Sequence, residues 1–198
     1  ERRCNEFHKK FGRPDASNQD PNYSRADTLH DTPWCRNLKE IRHAMGPGTC
    51  LHVDLHGCRD PTSSGGSHLV IGLRAMELNG RCGVAELRTY LRQTTALVLK
   101  GLSINVTPQR QLTGAVEEDT YRTLSQQSLS EAGGNWSSSV QLELSRSLRA
   151  ELAQHKELRT LLAQSISNAF VLASTEHADP AQFLHSLQYW IARCKTVG

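Results

Sequence analysis

Two short segments carry the residues best suited to chemistry. The first is His52-Val53-Asp54-Leu55-His56-Gly57 and the second is Val140-Gln141-Leu142-Glu143-Leu144-Ser145-Arg146. Apolar and polar side chains alternate in both, which is the period of a β-strand. Leu51, Val53 and Leu55 should therefore point one way, and His52, Asp54 and His56 the other. An imidazole at a strand end, with a carboxylate two residues earlier on the same face, suits a metal ligand and the group that orients it. A half-buried strand with a solvated polar face has the same pattern, and Asp-x-His alone does not separate the two. Glu143 lies on the polar side of an otherwise apolar strand. Buried there, its carboxylate would lose hydration and be driven toward its neutral form, as suits a general base. At the surface it would simply pair with Arg146 or Arg149, at little net energy.

Other chemistry-bearing residues give weaker signals. His52 shares a face with His56, but two residues along a strand is about 7 Å, so it reads as a packed or solvated imidazole. Cys58 would be reactive only in an electropositive site, and a structural thiol is the simpler account. Trp136 reads as core or rim. Ser63-Ser64-Gly65-Gly66-Ser67 lacks the Lys-Ser/Thr of a phosphate-binding loop and is expected to be a connector or lid. No nucleophile elbow is visible.

The elements that must position these residues follow from period and punctuation. Pro33 to Met45 has helical spacing, with Leu38, Ile41 and Met45 on one face and Gly46-Pro47-Gly48 as its stop. Strands are expected at 49–56, 68–73, 102–106 and 138–145. Helices are expected at 82–99, at 118–132 before Gly133-Gly134, at 147–173 with a break near His155, and at 180–194 with Leu184, Leu187, Ile191 and Cys194 on one stripe. Residues 1–33 should be largely irregular, with one short element near Cys4 to Phe11. Strands alternating with helices imply a single α/β domain with a mostly parallel or mixed central sheet.

The chain has 198 residues, enough to bury a core without disulfides or a structural metal. It is 37% hydrophobic and 22% charged, with mean hydropathy −0.51. No apolar stretch reaches the roughly 18 residues of a membrane span. The net charge of +3 is spread along the chain and only 6% of residues are aromatic, which argues against a nucleic-acid partner. Basic residues do crowd the first thirteen positions, where a solvated terminus explains them. The six cysteines include no Cys-x-x-Cys pair, so reduced core thiols are expected, and with them a cytoplasmic setting. The chain begins at Glu1, and a carboxyl-terminal part of a longer parent is the expectation.

Together, His52-Val53-Asp54-Leu55-His56-Gly57 and, 87 residues after His56, the Glu143 segment resemble the zinc carboxypeptidase-like amidohydrolases. The nearest branch is the N-formylglutamate amidohydrolases and poly-γ-glutamate hydrolases, with their "DLH" strand end and "Q-(L/I)-E-(L/I)" strand before a helix. The order of elements between Cys50 and Leu152 agrees more loosely. The resemblance implies a zinc carboxypeptidase-like fold and zinc as cofactor, with His56 as a zinc ligand supported by Asp54. Glu143 would be the general base and acid. The substrate would be a small or peptide-like amide next to an acidic amino acid. Its carboxylate would be held by arginines, the candidates being Arg2, Arg3, Arg146 and Arg149, with Asn5 as a further contact. Two departures stand out. Glu6 follows Asn5 where the family has arginine, and the His-x-x-Glu that supplies the other two zinc ligands occurs nowhere in the chain. An upstream segment or a partner chain would have to provide it. The competing expectation is a non-catalytic member of the fold that serves as a binding or assembly subunit.

Overall fold

A computed structural model describes residues 24–62, 66–105, 115 and 121–175, together with 181, 185 and 188. Its centre is a four-stranded sheet built from β2 (Leu51–Gly57), β3 (Leu69–Gly72), β4 (Ile104–Asn105) and β6 (Ser138–Leu144), in the spatial order β2-β6-β3-β4. β2 and β6 are parallel, as are β3 and β4, but β3 runs antiparallel to β6. The sheet is thus mixed, and the chain is α/β with helices flanking it. A second, two-stranded ladder pairs β1 (Ser24–Arg25) with β5 (Tyr121–Arg122).

The helices are α1 (Pro33–Ala44), α2 (Arg74–Leu78), α3 (Val84–Val98), α4 (Leu124–Leu129), α5 (Arg146–Gln154) and α6 (Lys156–Ser174), with a 3-10 turn at Ala26–Asp31. Local chemistry sets their ends. Thr32 caps α1 by accepting from the Cys35 amide, and Pro33 occupies its first turn. The break between α5 and α6 falls at His155, as the sequence suggested. The helix expected over 118–132 is shorter. Thr123 and Gln126 form a reciprocal capping box that starts α4 at Leu124, and Tyr121–Arg122 before it is strand. Residues 118–120 lie outside the described set, as do the element near Cys4, most of the 180–194 stripe and Ser63–Gly65.

One face of the sheet is apolar. Val140, Leu142, Leu144, Leu69 and Ile71 are buried in the main core with Leu87 and Leu91 of α3 and with Leu162, Ile166 and Ala169 of α6. Leu51 and Val53 pack against the same core from β2. α3 and α6 are tied by Thr94, whose hydroxyl donates to the Ser165 carbonyl at 2.9 Å. The opposite face is polar, yet it too is buried. α1, Trp136 and α4 close over that side, with Leu38, Cys50 and Trp136 in a smaller cluster against Leu124.

Exposure in two places follows what covers a face as well as its hydropathy. Leu55, at the end of the edge strand β2, is 66% exposed, whereas His52 and Asp54 are buried. On α1 the buried residues are Cys35 and Leu38, and Ile41 and Met45 are more than half exposed. Among the described residues, no helix is long and apolar enough to cross a membrane.

Candidate functional site

The parallel register places His52 opposite Ser139, Asp54 opposite Gln141 and His56 opposite Glu143. Six polar side chains thereby line one face of two neighbouring parallel strands, and His56 and Glu143 lie toward their carboxyl ends, where α/β sheets place their ligands. The Cys58 amide extends the pairing by donating to the Leu144 carbonyl at 2.9 Å.

His56 stands between two carboxylates. Its Nε2 is 2.9 Å from Asp54 Oδ1, and its Nδ1 is 3.9 Å from Glu143 Oε1. Asp54 is held from its far side, since Ser125 Oγ of α4 donates to Asp54 Oδ2 at 3.3 Å. Glu143 is held likewise by Gln141, whose Nε2 donates to Oε1 at 2.8 Å. The result is a line of contacts from α4 through Asp54 and the half-buried His56 to Glu143 and Gln141. The motif reading missed Ser125, and it quoted Gln141 without giving it a role. The Thr123-x-x-Gln126 pattern is a helix-start signal that would have placed Ser125 in the first turn of α4.

Glu143 is only 5% exposed, so it is not a surface glutamate. Burial drives its carboxyl above the usual range. The His56 imidazole, the Gln141 hydrogen bond and, more weakly, Arg149 act the other way, while the nearby Asp54 adds to the rise. A carboxyl whose pKa is raised is a stronger base than an exposed one, which suits proton transfer.

His52 is packed. Its Nδ1 is 2.9 Å from Ser139 Oγ, and its ring meets Trp136 edge-on at 5.5 Å. Burial holds its pKa below that of a free imidazole, against the opposing pull of Asp54. Trp136 itself is core. Cys58 is half-buried, and burial together with Glu143 pushes its thiol up, so it is held as a thiol and not as a reactive thiolate. Cys35 and Cys50 are free and buried.

The arginine candidates separate in space. Arg149, on the first turns of α5, lays its guanidinium against Gly57; a β-carbon at Gly57 would collide with it. Its charge is felt at both Glu143 and Cys58. Arg146 is exposed and acts on Asp60 instead. Asp60 Oδ1 accepts from the Ser147 amide at 2.6 Å, fastening the loop after β2 to the start of α5, and the hydrogen bonds from Ser147 hold its carboxyl below the usual range. Arg2, Arg3 and Asn5 lie outside the described residues.

A catalytic zinc takes three protein ligands and keeps one open position. Among the described residues, no group of three or more His, Cys, Asp or Glu side chains is disposed to hold a metal ion. His56 has the oriented second nitrogen typical of a metal-bound histidine, but the described residues do not complete a zinc site.

Comparison of the chain with protein families, with curated proteins and with solved structures finds no match.

Proposed function

We propose that the chain carries the acid–base part of a zinc-dependent amidohydrolase site, which hydrolyses an N-acyl or γ-glutamyl amide next to an acidic amino acid. The observation that supports this most is the direct pairing of His56 with Glu143 across β2 and β6, with Asp54 on the second imidazole nitrogen. In this reading Asp54 fixes the ring of His56, and Ser125 fixes Asp54. Glu143 takes a proton from the attacking water and returns it to the departing amine as the C–N bond breaks, so one water is consumed and no other reactant is needed. Arg149, against the glycine that ends β2, receives the substrate carboxylate. Zinc, when bound, would make that water more acidic. Its remaining ligands would come from a His-x-x-Glu segment, supplied upstream or by a partner chain.

A second reading, a non-catalytic binding or assembly subunit on the same fold, is favoured by the lack of a complete ligand set among the described residues. Zinc titration of the chain, with and without a peptide containing His-x-x-Glu, separates the two. Amine release from N-formylglutamate is followed alongside. The hydrolase reading expects zinc affinity that depends on His56 and hydrolysis that falls about 10²–10⁴-fold in Glu143→Gln. Zinc binding indifferent to His56→Ala, or wild-type turnover in Glu143→Gln, sinks it. Neither metal nor turnover under any condition leaves the binding-subunit reading as the better account.

A further inference from the structure

At the other end of the same strands lies a feature that the acid–base cluster does not use. Between α1 and the turns at Gly46-Pro47 and Gly134 runs a groove of about 650 Å³. Arg36, Lys39 and His43 follow one another at spacings of three and four residues, and so share one flank of α1. Arg42 lines the groove beside them, and among the described residues Glu40 is the one carboxylate that does so. From Arg36 to His43 the helix rises roughly 10 Å, at about 1.5 Å per residue.

Among the described residues, no carboxylate lies within ion-pair distance of Arg36, Lys39 or Arg42. Arg42 is also fixed in place. Its two terminal nitrogens donate to the carbonyls of Gly46 and Gly48, while its Nε is buried without an acceptor. The facing wall is built to come close. Gly134 has φ +99°, and a β-carbon there would stand 3.1 Å from Lys39 Cα and 3.0 Å from Arg42 Cβ. Glycine thus brings bare backbone against the cationic flank.

We propose that this groove binds a small, extended, multivalent oxyanion of the di- or triphosphate type. Guanidinium and ammonium groups complement phosphate oxygens in charge, those of Arg36 and Lys39 from exposed side chains and that of Arg42 from one held by the Gly46 and Gly48 carbonyls. The roughly 10 Å span asks for more than one anionic group, because a single phosphate reaches one turn of the helix and not the next. Among the described residues, no Phe, Tyr or Trp lines the groove, so charge is read rather than a base or sugar. The groove precedes the starts of β2 and β6, and the His56–Glu143 pair sits at their far ends. The proposal is therefore independent of the hydrolase reading.

Calorimetric titration of the whole chain in low salt tests it, with inorganic triphosphate and orthophosphate as the probes. Triphosphate should bind at least about ten times more tightly than orthophosphate, and its affinity should fall steeply as salt screens the groove. The double variant Arg36→Gln/Lys39→Gln removes two exposed cations and should weaken triphosphate at least about tenfold, with its circular dichroism unchanged. Arg92→Gln/Lys100→Gln, on exposed positions elsewhere, should bind as the wild type does. Absence of triphosphate binding, equal affinity for the two probes, or equal losses in the two double variants would each overturn the proposal.

Discussion

Gly57→Ala should separate the charge of the candidate site from the stability of the fold. Gly57 ends β2 with ordinary negative φ, so alanine meets no backbone strain there. All that stands where its β-carbon would go is the guanidinium of Arg149, the tip of a long side chain on an exposed residue. Such a tip swings away at little cost, and alanine reduces the entropy of the unfolded chain by about 0.4–1 kcal/mol relative to glycine. The net change in stability should therefore lie within about 1 kcal/mol of zero. The electrostatic consequence is separate. Arg149 opposes the burial-driven rise of the Glu143 carboxyl. With the cation displaced toward solvent, that opposition weakens, and Glu143 should titrate at higher pH than in the wild type. Urea denaturation reads the first effect, and carbon NMR of the Glu143 carboxyl through a pH series reads the second. If Arg149 also holds the substrate carboxylate, losing a charge-assisted hydrogen bond of about 1.5–3 kcal/mol should raise KM about ten- to a hundredfold. An unchanged or lowered Glu143 titration, with the urea midpoint preserved, would refute the placement of Arg149. A stability loss above about 2 kcal/mol would show that Gly57 is needed for the strand itself.

Glu143→Gln should stabilise the protein at neutral pH. A carboxyl whose folded pKa is raised contributes stability that is fully present below its unfolded value, near 4.3, and is lost as pH rises through the folded value. The gain seen by thermal melting should accordingly shrink toward zero in acid, and a variant less stable than wild type at pH 7 would contradict the burial argument. Leu142→Ala, in the centre of the apolar face, should cost about 2–5 kcal/mol in urea unfolding, because the sheet cannot collapse around the lost volume. Thr123→Ala removes the acceptor of the α4 capping box and should cost about 0.5–2 kcal/mol. A loss well below that range would mean that α4 is held by packing alone.

Much of the frame was legible because it rests on local signals. Alternation marked β2 and β6, helical spacing marked α1 and α3, and the weakness at His155 marked the break between α5 and α6. The mutual placement of His56 and Glu143 was less accessible. Asp-x-His is a common pattern, and 87 residues separate the two groups, so only resemblance to a family put them side by side. Three features were hidden for physical reasons. The antiparallel direction of β3 depends on how its connection crosses the sheet, which periodicity does not encode. The exposure of Ile41 and Met45 depends on which flank of α1 meets Trp136 and the Gly134 turn, a tertiary fact. The burial of Asp54 and Glu143 depends on α4, a helix of six residues whose start the sequence pattern marked through a capping box and not through hydropathy.

The two faces of the sheet make different demands on stability. The apolar face is explained by packing alone: Val140, Leu142 and Leu144 meet α3 and α6 as any core would. The other face is not. Two carboxyl groups and two imidazoles sit beneath a short helix, where each ionised group forfeits hydration. Replacing buried ionic groups by well-packed apolar ones is often neutral or stabilising, so stability gives no account of this cluster. Its hydrogen bonds are instead directional. Ser125 braces Asp54 from behind, Asp54 fixes one nitrogen of His56, and Gln141 holds one oxygen of Glu143. That is how a chain immobilises groups whose orientation matters more than their energy. The cluster also lies toward the carboxyl ends of parallel strands, with Arg149 beside it, which is where α/β sheets place their ligands. A subunit that served only for assembly through its outer surfaces would gain nothing from this arrangement. For that reason the acid–base reading is preferred.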